Sequence, residues 1–286
     1  MIFRRKENTE RKNYSSPATQ TKRGKRVITF SVDKRQKFVL SVIVLSVCLF
    51  ISEFQFGKSG IIVASLLALV TEGLLYWSIK DDLKDNFSIS IFILPFFYTL
   101  AFVLFYFLIP ARLLFRLVLT TLYAFGLYSL FLSENIFTVS SIRTIALLSG
   151  GRIVSFVLTL LSYFFLTNIL FTFHLNVIFI IPAILLYTFL LVYQSLWTYN
   201  LQKTVPMMRE WAGVITLCVA EAAALVWFWP SSPTVIALFL TGYLYTLVGL
   251  SHVWFEKKLF KNVLWEYTWV GVTVFFVLLL FTEWGK

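Results

Sequence analysis

Charge is scarce in this chain. Asp, Glu, Lys and Arg make up 14% of its 286 residues, against roughly 25% in soluble globular domains. A water-soluble body of this size cannot be covered with so few polar groups. Cysteine and histidine are nearly missing as well, with two of each. Cys48 and Cys218 both fall inside apolar segments. That excludes a disulfide framework and a cysteine metal site, and predicts two small core residues. There is no Walker loop, no His-Glu-x-x-His and no Gly-x-Ser-x-Gly, so the common signatures of nucleotide, zinc-protease and serine-hydrolase chemistry are excluded. Alternating ten-residue strands, which a transmembrane barrel would show, are also missing.

What is abundant is apolar and aromatic surface. The chain is 59% hydrophobic and 19% aromatic, with 31 Phe. A domain of this length has too little interior to hide that surface, so much of it must face lipid. Nine apolar segments are predicted, at 38–56, 59–79, 88–109, 112–132, 153–173, 176–198, 210–229, 233–255 and 265–284. Each is near the ~20 residues that cross ~30 Å of hydrocarbon as a helix. Helices are required because each segment must satisfy its own backbone groups. The predicted fold class is an all-α, polytopic transmembrane bundle of about nine spans.

The net charge of +11 belongs to the tail: twelve of the 25 Lys and Arg residues precede residue 38. Residues 1–37 read as a disordered basic cytoplasmic tail, attracted to anionic lipid head groups rather than to nucleic acid. The tail is too long for the n-region of a secretory signal, and the first span reads as a retained signal-anchor. Threading the spans from a cytoplasmic N-terminus puts 21 Lys and Arg on the inner side and four outside, with the C-terminus outside. Tryptophans agree. Trp77, Trp197, Trp211, Trp254, Trp265 and Trp269 fall at inner span ends, and Trp227, Trp229 and Trp284 at outer ends, as interfacial indoles should. The two histidines fall on opposite sides, His174 in an outer turn and His252 at an inner helix end, so they cannot share a metal.

Few ionisable residues lie within spans, and each needs a reason. Glu221 is near the middle of the seventh span, Glu72 slightly inward of the middle of the second, and Arg116 one turn inside the outer end of the fourth. Together they form a candidate intramembrane polar site for an anionic substrate or a proton-coupled carboxylate. Two plainer readings stand beside it. One is a structural Arg116–Glu221 pair with Glu72 neutral; the other has Arg116 and Arg112, four residues before it, snorkelling to outer phosphates. In the fifth span Arg152, Ser155, Thr159 and Ser162 share one helix face, and in the eighth Tyr245 and His252 share a face with Gly242 and Gly249. Such stripes pack helices closely or line a cavity, and packing is the commoner use. Segments around Pro95 and Pro182 echo each other in opposite orientation, the pattern of an inverted repeat.

The stretch 133–152 divides four spans from five. Asn135 reads as an N-cap and Gly150-Gly151 as a stop, which predicts a short helix lying at the inner interface, with Arg143 and Arg152 facing lipid phosphates or pairing with Glu134. In the second inner loop Asp81, Asp82 and Asp85 form an Asp-Asp-x-x-Asp run of the type that holds Mg²⁺. The run resembles the aspartate-rich motif of membrane prenyltransferases of the UbiA superfamily. That family carries a second acidic cluster after its sixth helix. Here the matching loop holds Glu210 alone, so the plainer reading is a solvated loop.

Ser133-Glu134-Asn135-Ile136-Phe137-Thr138-Val139, with Ile142-Arg143-Thr144-Ile145 and Leu147-Leu148, resembles an uncharacterised family of bacterial multi-span membrane proteins. Asp82-Leu83-Lys84 with Ile93-Leu94-Pro95, Trp229-Pro230-Ser231-Ser232-Pro233-Thr234, and Trp265-Glu266-Tyr267 carry the same resemblance. It implies a bacterial plasma (inner) membrane protein and supplies no site residue or cofactor. A carrier or lipid-handling transporter is the expected function. A non-catalytic scaffold or assembly partner and a Mg²⁺-dependent transferase are the alternatives.

Overall fold

Runs of Leu, Ile, Val and Phe without internal polar partners can satisfy their backbone only as helices in an apolar medium. The structure, a computed structural model, describes residues 34–56, 60–83, 88–109, 113–140, 147–199, 201 and 206–283. Among these it contains nine helices and no strand: α1 Lys34–Phe56, α2 Gly60–Leu83, α3 Ser90–Leu108, α4 Leu113–Ser140, α5 Leu148–Thr172, α6 Val177–Trp197, α7 Pro206–Trp227, α8 Pro233–Phe255 and α9 Lys261–Leu280. All nine are long and apolar enough to cross a membrane. The basic tail before Lys34 lies outside the described residues.

Helix starts follow local chemistry. Pro206 and Pro233 open α7 and α8, where a missing N–H costs nothing. The Asn176 side chain caps α6 by accepting from the Ile178 amide. Pro95 and Pro182 lie inside α3 and α6, which pack against each other.

α3 and α5 form the centre. α3 touches α2, α4, α5 and α6, and α5 touches α3, α4, α6 and α8. α1 rests on α2 and α4, and α7 on α6 and α8. α9 packs on α8, with Leu278 as its one buried residue. The α8–α9 contact is close because Gly242 and Gly249 admit the Val274 and Tyr267 side chains, leaving no space for a Cβ. Gly126 plays the same part inside: a Cβ there would collide with the Tyr98 hydroxyl, which reaches the carbonyls of Leu122 and Tyr123 at 3.3 and 3.2 Å.

Contacts between helix ends fix an up-and-down threading. At one end Lys37 lies over the Trp77 ring, Arg152 reaches Thr198 and Glu256, and Trp211 meets Trp254. At the other, Trp227 donates to the Leu175 carbonyl and Trp229 to Thr282. These are called the Arg152 end and the Trp229 end. Leu114, Phe125, Ile178, Leu225 and Phe276 are among many large apolar residues exposed around the bundle, a surface suited to lipid.

Several expectations are corrected. The stretch after residue 132 is not a separate surface helix. α4 continues to Ser140 with Asn135 inside it, and α5 starts at Leu148 with Gly150 and Gly151 in its first turn. Residues 141–146, Arg143 included, lie outside the described residues. The physical reason is that Ser133, Glu134 and Thr138 are buried against neighbouring helices rather than solvated, so a polar triplet does not end the span. Trp197 is buried edge-on against Phe137 and is not an interfacial anchor. Cys48 is exposed and Cys218 half-buried, so neither is a core residue.

Candidate intramembrane carboxyl site

The most unusual group in the interior is Glu134. Its position on α4, one turn before Thr138, turns it toward α5 and α6, and it is fully buried. The Gln194 amide of α6 donates to Glu134 Oε1 at 3.2 Å and to Ser155 Oγ of α5 at 3.3 Å. The opposite amide orientation would set oxygen against oxygen, so the donor side faces the carboxyl. Gln194 and Ser155 are as buried as Glu134. The group lies roughly 5–10 Å inside the Arg152 end, at ~1.5 Å per residue from the ends of α4, α5 and α6.

Glu72 of α2 is another acid whose carboxyl oxygens are both sealed from the surface. By the same rise per residue it lies about 16 Å from the end of α2, deeper than Glu134. Among the described residues Oε1 and Oε2 of Glu72, Oε2 of Glu134 and Oε1 of Gln194 have no hydrogen-bond partner. A carboxyl sealed in a low-dielectric interior requires a neutralising positive charge, whether proton or cation.

A second polar cluster stands at the same end, and it is closed. Arg152 of α5 donates from Nε to the Thr198 carbonyl at 3.0 Å and from Nη2 to the Tyr199 carbonyl at 3.3 Å, and its Nη1 is 3.6 Å from Glu256 Oε1. The guanidinium thus meets the carbonyl end of α6, where a cation is favoured by the helix dipole. It also lies over the Tyr199 ring, 4.6 Å from its centroid. Glu256 Oε2 accepts from Lys258 at 3.0 Å. His252 of α8 stacks on Tyr199 and shares a 3.1 Å hydrogen bond with Ser195. Burial, with the Glu256 carboxylate adding to it, pushes the Tyr199 phenol above its ordinary range, while Arg152 draws it back. This knot ties α5, α6 and α8 together.

The remaining candidates are placed as follows. Glu221 is exposed on α7. Arg116 is half-buried on α4, whose neighbours are α1, α2, α3 and α5, so the expected convergence of Arg116 and Glu221 is not formed. The helix-wheel estimate of depth said nothing about which helices adjoin. Thr159 and Ser162 are buried and donate to the carbonyls of Ser155 and Leu158. Tyr245 packs between Phe156 and Tyr267. Asp81 and Asp82 are in the last turn of α2, and Asp85 lies outside the described residues. Among the described residues no three His, Cys, Asp or Glu side chains gather as a metal-ligand group. At the Trp229 end a cavity of about 300 Å³ lies among Phe171, His174, Trp227, Trp229, Ser231 and Ile236, reached by neither Glu221 nor Arg116.

Sequence reasoning placed Glu134 on a surface connector and passed over Gln194. The available signal was a single acid in a short polar break of a long apolar run, FLSENIFTV, and a lone amide inside FLLVYQSLW.

A family model described as a protein of unknown function, DUF5656, matches residues 59–281. The chain belongs to this family. The match takes in α2 to α9, and with them Glu72, Glu134, Ser155 and Gln194. No curated protein and no solved structure matches the chain. The nine apolar helices and the family together make it a multi-pass integral membrane protein.

Proposed function

We propose that this protein is a carrier, of a solute or a lipid, whose transport cycle is coupled to loading and unloading a positive charge at Glu134. The observation that carries this reading is the fully buried Glu134 carboxyl, held by Gln194 at one oxygen and unpartnered at the other. A membrane protein gains no stability from a buried acid without a cationic partner, and intramembrane acids of this kind commonly belong to proton or ion pathways. The site joins α4, α5 and α6, so a change in its charge acts on three packed helices at once. The Arg152 end is the cytoplasmic one in this reading, because Lys and Arg concentrate there, and the membrane is the bacterial inner membrane. The basic tail then meets anionic lipid head groups.

The test is proton flux. The full chain is reconstituted in vesicles containing a pH dye, and a potassium diffusion potential is imposed. Wild type is expected to admit protons well above empty vesicles, and Glu134→Gln to lower the rate by at least tenfold. Wild-type flux equal to that of empty vesicles, or an undiminished Glu134→Gln rate, would contradict the reading.

A further inference from the structure

Two buried atoms of the Glu134 site have no hydrogen-bond partner among the described residues: Oε2 of Glu134 and Oε1 of Gln194. They belong to two groups that are already joined once, by the Gln194 amide nitrogen donating to Glu134 Oε1 at 3.2 Å. With the carboxyl ionised, both open atoms are acceptors, and neither can satisfy the other. A neutral carboxylic acid and a primary amide are complementary: the amide N–H meets one carboxyl oxygen, and the acid O–H meets the amide oxygen. The first half of that pair is formed here, and the atoms of the second half are the two left open. One proton on Glu134 Oε2 satisfies both. A divalent metal ion needs more, since Ca²⁺ takes 6–8 oxygens and Mg²⁺ an octahedron.

The joint lies between two helices with little else in common. α4 packs on α1, α2, α3 and α5, and α6 on α3, α5, α7 and α8, rather than broadly on each other. Side chains bridge them: Glu134 with Gln194, and one turn further along each helix Phe137 edge-on to Trp197, ring centres 6.4 Å apart. Ser155 of α5 accepts from the same amide nitrogen at 3.3 Å and holds Gln194 in place. Titratable groups on the surrounding helices are engaged elsewhere. Lys37 of α1 lies over Trp77, Tyr98 of α3 is bonded to α4 carbonyls, Arg152 of α5 to α6 and Glu256, and Tyr187 of α6 to Thr167. Glu72 of α2 lies deeper in the bundle.

We infer that Glu134 and Gln194 form a proton-operated clasp between α4 and α6, closed by a proton on Glu134 Oε2 that Gln194 Oε1 accepts, and opened when that proton leaves. A hydronium ion gives up the proton and departs as water, and no bond between heavy atoms changes. Deprotonation leaves one hydrogen bond across the joint and two acceptor oxygens without a hydrogen between them, so the tie between α4 and α6 weakens. Gln194 is a positioning residue: it accepts from the loaded oxygen and selects which oxygen of Glu134 carries the proton. Glu134→Gln puts a permanent N–H donor there and holds the clasp closed, which is why that variant is expected to lose flux without losing stability. The clasp rests on the carrier reading above and names a proton as its coupling ion.

The experiment is infrared difference spectroscopy of the full chain in detergent, low pH minus high pH, on the acid carbonyl stretch that Glu134→Gln removes. In wild type this band is expected at the lowered frequency of an acid whose O–H is donated to a carbonyl. Gln194→Leu and Gln194→Met should each move it up to the frequency of an isolated acid; two variants guard against one failing to fold. Ser155→Ala should leave it in place. Replacing choline chloride by sodium chloride at fixed pH should not change it. A band at the isolated-acid frequency in wild type, or one unmoved in both Gln194 variants, would overturn the clasp. A band abolished by sodium would overturn the proton assignment. If proton flux still depends on Glu134 while the band ignores Gln194, the carrier reading stands and only the clasp is removed; a wild type with neither flux nor acid band removes both.

Discussion

Two polar clusters lie at the same end of this bundle, and they are built on opposite principles. Around Arg152 every charged atom has a counterpart: three guanidinium nitrogens meet two α6 carbonyls and Glu256, and the second Glu256 oxygen meets Lys258. Around Glu134 the same helices, α5 and α6, contribute only Ser155 and Gln194, and Glu134 Oε2 and Gln194 Oε1 stay open. The Arg152 knot is at a helix terminus, where orphan carbonyls need donors whatever the protein does. The carboxyl cluster caps no helix terminus, and apolar residues at its positions would give a more stable bundle. A closed cluster holds helices together, whereas an open one is kept for what enters it.

That contrast can be broken by mutation. The largest effect on stability is expected at Arg152. Arg152→Ala strips the donors from the end of α6 and leaves Glu256 with Lys258 alone, at a cost of about 3 kcal/mol. Chemical denaturation in detergent should show it. A smaller loss, about 1 kcal/mol, is expected for Ser195→Ala, which removes the hydrogen-bond partner of the buried His252 ring. Glu134→Gln should do the reverse of both. It keeps the shape, deletes the buried charge and leaves stability equal to wild type or up to about 1 kcal/mol higher, while proton flux is lost. If Glu134→Gln destabilises as much as Arg152→Ala, the carboxyl cluster is structural too and the contrast disappears. The smallest change is expected for Glu221→Gln, below about 0.5 kcal/mol, since that side chain is exposed on α7.

Much of the fold could be read from hydropathy because lipid allows so few alternatives: a long apolar segment must be a helix, and its ends are marked by Lys, Trp and Pro. The contacts at Trp229 and Arg152 bear out the alternation of helix ends. The site was less legible. Glu72 could be singled out because it stands alone in an apolar run. Glu134 stands beside Ser133 and Asn135, and three polar residues together look like the end of a span. Only packing against α5 and α6 offsets the burial of Glu134, and packing partners are not written in a single helix. Arg116 and Glu221 failed for the converse reason: equal depth does not make two residues neighbours when their helices adjoin different elements.

The state of the Glu134 carboxyl is open to direct observation by infrared difference spectroscopy between protein at high and at low pH. A protonated carboxyl stretch should grow as the pH is lowered, with a carboxylate band lost. The change should be missing from Glu134→Gln and intact in Arg152→Lys. No pH-dependent carboxyl band in wild type, or one unchanged in Glu134→Gln, would contradict the assignment of Glu134 as the charge-loading site.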